Sequence, residues 1–225
     1  MVRRPIERSN QNYYHVMARS NNREFFYLPQ SETWKIFSLK LAQLQDRFQI
    51  KISAFVLMSN HFHLLLLTPS LGIDKIMYFL MKDITLEIQK HTGRINKIFG
   101  GRYKGSLIKH DTYLTNVYKY IYLNPVKSGL VSRAELYPFS TLYYKTNRQA
   151  ELPYSVENIF PIHPFCENLD ELKWINLRFD EAEYASIKTG LRKSEFAYAK
   201  DNSTGKKIIP GDRHLKKLNN SAGLF

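Results

Sequence analysis

The sequence predicts an α+β fold: one antiparallel sheet built in the order β-α-β-β-α-β, a helix appended to it, and a mostly helical C-terminal extension. Three observations predict this. Two stretches of helical periodicity alternate with short runs of strand character. Two of those runs, IKISAFVL and HFHLLLLT, are separated only by MSN, a hairpin-length connection. The remaining runs fall on either side of the two helices, which is the ferredoxin-like or RRM-like split βαβ pattern.

In chain order, NYYHVMA (residues 12–18) alternates as a strand and SNNRE follows as a loop. Residues 31–48 place Trp34, Phe37, Leu41, Leu44 and Phe48 at helical spacing, with Ser31 as cap. Residues 50–57 and 61–68 form the hairpin. Residues 73–91 carry Ile76, Phe79, Leu80, Ile84 and Ile88 on one helical face. Gly100-Gly101 breaks the chain, and RYKGSLIK (102–109) reads as a short strand or an extended basic loop. Asp111 or Thr112 caps a helix that runs through Leu123 and stops at Asn124-Pro125, because the residue before proline disfavours helical backbone. After Tyr144, KTNRQAELPYS reads as a linker. Residues 154–160 and 167–199 suggest two or three short helices, and residues 201–225 a mobile tail. The chain thus divides into residues 1–148 and an extension, 149–225.

The 225 residues carry 33 Lys+Arg against 20 Asp+Glu, a net charge of +13. The charge is concentrated: residues 1–148 hold 22 basic and 9 acidic side chains, 149–187 hold 2 and 8, and 188–225 hold 9 and 3. Together with 15 Tyr and 14 Phe, this balance points to nucleic acid, through phosphate neutralisation and base stacking. It disfavours a hydrolase of small phosphoesters. No apolar run approaches the roughly 20 residues of a membrane span, and no apolar h-region follows the basic start, so neither membrane insertion nor a signal peptide is expected. The single Cys166 excludes an internal disulfide and a Cys-cluster zinc site, and a reducing cytoplasm is the expected location.

His61-Phe62-His63 is the most informative string. On a strand, residues two apart share a face with Cβ atoms roughly 7 Å apart, so the two imidazoles can converge on one divalent ion while Phe62 faces an apolar layer. A second polar cluster is the Tyr-rich run from Asp111 to Lys127, in which Tyr120 and Asn124 are i and i+4 and share a helical face. Most of its tyrosines are expected to be core packing with a hydroxyl reaching a partner. His15 reads as a structural strand histidine.

SNHFHLLLL, GGRYKGSLI, DTYL and KYIYLNPVKSGLV together resemble the HUH single-strand transposases, above all the REP-associated tyrosine transposases and their insertion-sequence relatives. The resemblance spans about residues 12–145. It implies the sheet fold just read, a divalent cation (Mg²⁺ or Mn²⁺) held by His61, His63 and Asn124, and Tyr120 as the nucleophile of a covalent 5′-phosphotyrosine intermediate. Tyr120 is preferred to Tyr118 and Tyr122 because it heads the YIYLNPV string. The resemblance further implies single-stranded, hairpin-containing DNA as substrate, a nucleoid-associated cytoplasmic protein of bacterial type, and a subunit state that in some members is a homodimer. Arg102, Tyr103, Lys104 and Lys109 precede the tyrosine helix and are expected along the DNA path. Arg19, Asn22 and Arg23 are expected to meet the hairpin or its flanking bases, and Lys119 and Lys127 to face phosphates. The competing reading is a non-catalytic RRM-like RNA- or DNA-binding protein. A relaxase or replication initiator with the same chemistry is disfavoured by size and motif order.

Overall fold

The hairpin is the centre of the architecture. In the computed structural model, which describes residues 7–147, 149–159 and 171–210, its strands are β2 (Lys51–Leu57) and β3 (His61–Leu67). β1 (Tyr13–Arg19) and β4 (Lys104–Ile108) complete a sheet of order β2-β3-β1-β4, with every pairing antiparallel. α1 (Gln30–Phe48) and α2 (Ile73–Thr92) are the two crossings. The predicted α+β split βαβ sheet is therefore the observed fold.

The pleat sorts the side chains into two layers. Tyr14, Val16, Ala18, Phe62, Leu64 and Leu66 join α1 and α2 in one core. Phe62 is fully buried, with its ring against Phe37, Phe55 and Phe99, a burial that contributes roughly 1.5–3 kcal/mol. His15, His63 and Leu65 point to the opposite face. That face is covered by α3 (Asp111–Lys127) and, beyond it, by α5 (Glu171–Asn176) and α6 (Glu181–Gly190). α4 (Thr141–Thr146) packs at the β2 side.

Several local expectations need correction. α1 starts at Gln30 after Pro29, so Ser31 lies inside the helix. Of the two forms expected for RYKGSLIK, the strand is the one adopted, over 104–108. α3 begins after His110 and continues through Pro125 to Lys127. Proline removes the N–H that Ile121 would receive at i−4, but the Asn124 amide nitrogen donates to the Ile121 carbonyl at 3.3 Å and to the Tyr120 carbonyl at 2.8 Å. The residue expected to end the helix instead supplies the donor that the proline lacks.

Residues 154–159 are not helical: Val156 bridges in parallel to Ile52, and the Glu157 N–H donates to the Ile52 carbonyl at 2.7 Å. Ser194–Phe196 likewise extend the β4 edge, with Leu107 N–H donating to Ser194 and Phe196 N–H donating to Leu107. Both sheet edges are thereby occupied, which removes the usual exposure of edge strands. Residues 201–210 are held in place: the Ser186 hydroxyl donates to the Ile208 carbonyl at 2.7 Å, and Lys207 Nζ to the Tyr113 hydroxyl at 3.1 Å. Residues 160–170, with Cys166, and the tail 211–225 lie outside the described residues.

Candidate active site

β3 opens on the two histidines, and the pleat sends both imidazoles to the α3 face with ring centroids 5.2 Å apart. A neighbour holds each ring by Nδ1. Asn60 Oδ1 lies 2.7 Å from His61 Nδ1. The Asn60 nitrogen donates to the Arg23 carbonyl at 2.8 Å, so its oxygen is the end that faces His61. His61 therefore carries its proton on Nδ1 and presents Nε2 as a lone pair. His63 Nδ1 meets His15 Nε2 at 2.9 Å. β1 pairs Met17 with His63, which makes His15 the diagonal neighbour on the same face. Burial lowers all three imidazoles: His15 to about 3, His61 to about 4 with help from Arg19, and His63 well below its ordinary value. All three are neutral at pH 7.

The tyrosines of α3 divide by face. Tyr118 donates its hydroxyl to Glu171 at 2.7 Å, and Tyr122 is fully buried against Thr141 and Ser53. Tyr120 alone meets the histidines, its ring edge-to-face with His63 at 6.0 Å between centroids. It is 4% exposed, and burial holds its phenol well above the usual value. Its ring lies against that of Tyr184 of α6, with centroids 5.1 Å apart. Because the Asn124 nitrogen is committed to the helix carbonyls, Oδ1 is the accepting end of that amide and takes the Tyr184 hydroxyl at 3.5 Å.

Tyr120, His63 and His15 form the floor of a cleft of about 700 Å³. Its walls bring together Arg19, Asn22, Arg23, Arg102 and Lys104, five of the nine side chains expected to contact DNA. The other four lie elsewhere. Tyr103 is buried and donates its hydroxyl to Asp74 at 2.8 Å. Lys109 pairs with Glu7 and Glu195, at 2.8 and 2.9 Å, and Lys127 pairs with Glu181. Lys119 does not reach a solvent-facing phosphate: it is 1% exposed, with Nζ 4.8 Å from the Trp174 ring centroid and 4.9 Å from that of Phe179. Sequence reasoning missed Lys188, Leu191 and Arg192, which complete the cleft from the extension. The one signal for them was the excess of basic residues from 188 onward.

Among the described residues, no group of three or more His, Cys, Asp or Glu is placed to hold a metal ion. The donors expected for a cation are the imidazoles of His61 and His63 and the amide oxygen of Asn124, of which His63 alone lines the cleft. The chemistry of that set suits a divalent ion: neutral imidazoles fixed by their second nitrogen, one amide oxygen, and no carboxylate to repel an incoming phosphate.

The fold and cleft define a single-sheet α+β protein with an electropositive groove over paired imidazoles and a phenol. The family model for IS200-like transposases matches residues 8–124, and the chain belongs to that family. Its fold is similar to that of a REP-associated tyrosine transposase solved bound to a REP hairpin, with TM-score 0.54 and 19% identity over 71% of this chain and 93% of that one. A structure from Deinococcus radiodurans bearing a transposase designation aligns at TM-score 0.36 with 16% identity, over 51% of this chain and 89% of that chain. No curated protein matches the sequence. The chain is thus a transposase acting on DNA, in agreement with the resemblance carried by SNHFHLLLL and KYIYLNPVKSGLV. No described helix is long and apolar enough to cross a membrane.

Proposed function

We propose that this transposase cleaves and rejoins single-stranded, hairpin-containing DNA through covalent attachment of Tyr120 to a 5′-phosphate. The observation that carries the reading is the contact of Tyr120 with His63 at the floor of the basic cleft. The Tyr120 phenol gives up its proton to water, its oxygen attacks the backbone phosphorus, the P–O3′ bond breaks, and the departing 3′ oxygen takes up a proton to become a hydroxyl. The new phosphotyrosine ester keeps the bond energy, so another 3′-hydroxyl reverses the step and joins strands without a nucleotide cofactor.

His61, His63 and Asn124 would hold Mg²⁺ or Mn²⁺, which supplies neutralisation and orientation of the scissile phosphate when bound. Two imidazoles favour Mn²⁺ over Mg²⁺, which prefers carboxylate oxygens. Arg19, Asn22, Arg23 and Lys104 draw the strand into the cleft by phosphate contacts, while Arg102 shares its charge with Asp74. The RRM-like binding alternative needs a free sheet face on which bases stack, and α3 covers that face here.

The test is incubation of the full chain with a 3′-labelled hairpin oligonucleotide and Mn²⁺, followed by denaturing electrophoresis. A protein-linked labelled strand that vanishes with Tyr120→Phe or with chelator is expected. An adduct persisting in Tyr120→Phe refutes the assignment.

A further inference from the structure

We propose that Lys188 and Arg192, both carried by the C-terminal extension, form a phosphate-binding wall of the cleft that holds the strand beside Tyr120. The inference rests on reading the cleft as the DNA site, and it concerns residues outside the matched family region 8–124.

Both side chains are exposed and line the same cleft as His63 and Tyr120, whose lining, among the described residues, contains six Lys and Arg and no carboxylate. Among the described residues, neither has a salt-bridge partner, whereas Arg102 of the same lining is tied to Asp74, and Lys109, Lys127 and Lys145 are each tied to a glutamate. A cation kept free of carboxylates in a cleft of one sign is available to an anion.

The backbone that carries them is fixed to the sheet. Gly190, at the end of α6, lies so close to Phe196 that a Cβ there would meet Phe196 Cε2 at 2.7 Å and the Ala197 carbonyl at 2.9 Å. Four residues beyond, Ser194–Phe196 pair with Leu107 of β4 through hydrogen bonds of 2.9 and 2.8 Å. Arg192 sits on the short connection between these two anchors. The guanidinium fork suits two phosphate oxygens at once, and Lys188 adds a point charge one helical turn before it.

The experiment uses the full chain in a Tyr120→Phe background, so that binding is read without chemistry. Affinity for a fluorescent single-stranded oligonucleotide is measured across a salt series for Arg192→Gln, Lys188→Gln, Arg192→Lys and the control Lys35→Gln, which lies on α1 beyond the opposite sheet face. Arg192→Gln is expected to weaken binding about tenfold. Each Gln variant in the cleft should flatten the log–log salt dependence by about 0.7, the value for one lost phosphate contact on a single strand. Arg192→Lys should restore that slope, and Lys35→Gln should leave it unchanged. Wild-type affinity and slope in both Gln variants would overturn the wall. Adduct formation by the unsubstituted chain is scored separately: an adduct with unaltered slopes sinks the wall and keeps the Tyr120 reading, and flattened slopes without an adduct do the reverse.

Discussion

Asn60 turns its amide oxygen to His61 Nδ1 at 2.7 Å because its nitrogen is held by the Arg23 carbonyl. The imidazole is locked in one tautomer by a residue that is not itself a ligand candidate. Such outer partners typically contribute 10–100-fold to metal affinity. Asn60→Leu is therefore expected to weaken Mn²⁺ binding by about that factor, read by titration calorimetry, with the circular dichroism spectrum unchanged. Unaltered Mn²⁺ affinity would remove the tautomer argument.

Tyr184 restrains Tyr120. Burial is the main cause of the raised phenol pKa, and the neighbouring Tyr184 raises it further. Attack needs the ionised phenol, so adduct formation should accelerate with rising pH across the neutral range. Tyr184→Phe removes one raising contribution and frees the Asn124 oxygen. The rising limb should move to lower pH, with adduct formation faster at pH 7.5. A slower variant with an unmoved limb contradicts the restraint.

Lys119 makes the fold sensitive to pH. Burial among Trp174 and Phe179 lowers its ammonium from 10.5 to about 7, against the opposing pull of Glu183. Between about pH 7 and 10.5 the unfolded chain binds a proton that the folded chain does not, so this group makes stability rise with pH across that window. Below about pH 7 the folded state carries the buried charge. Lys119→Met should flatten this rise and stabilise the protein at pH 6 by about 1–4 kcal/mol, measured by urea unfolding. Loss of stability on this substitution would mean that the cation is held favourably.

Asn124 has a structural duty beside its proposed one. Asn124→Leu leaves the Ile121 carbonyl without a donor at Pro125 and should cost about 1–3 kcal/mol. Hydrogen exchange within α3 should then accelerate around residues 120–127. A variant of full stability would show that the amide contributes nothing to carrying the helix past the proline.

Much of this arrangement is legible from residue order. The alternation around Phe62 separates the histidines from the core, and helical spacing places Trp34–Phe48 and Ile76–Ile88 against the sheet. What escapes such reading depends on partners far along the chain. Val156 becomes extended because the β2 edge is open to it. Lys119 is buried because Trp174 and Phe179 arrive from the extension. His15 reads as a lone histidine until strand register sets it beside His63. Pro125 signals a helix end unless the preceding side chain is seen to serve the orphaned carbonyl. The cleft wall of Lys188 and Arg192 exists only through the docking of residues 194–196 on β4.

The most direct test is to locate the covalent bond itself. The full chain is incubated with a hairpin oligonucleotide and Mn²⁺, digested with nuclease and trypsin, and fragmented in a mass spectrometer. The account predicts a nucleotide mass on the peptide YIYLNPVK, localised to Tyr120. A nucleotide on Tyr118, Tyr122 or Tyr184, or none on any tyrosine, would contradict it.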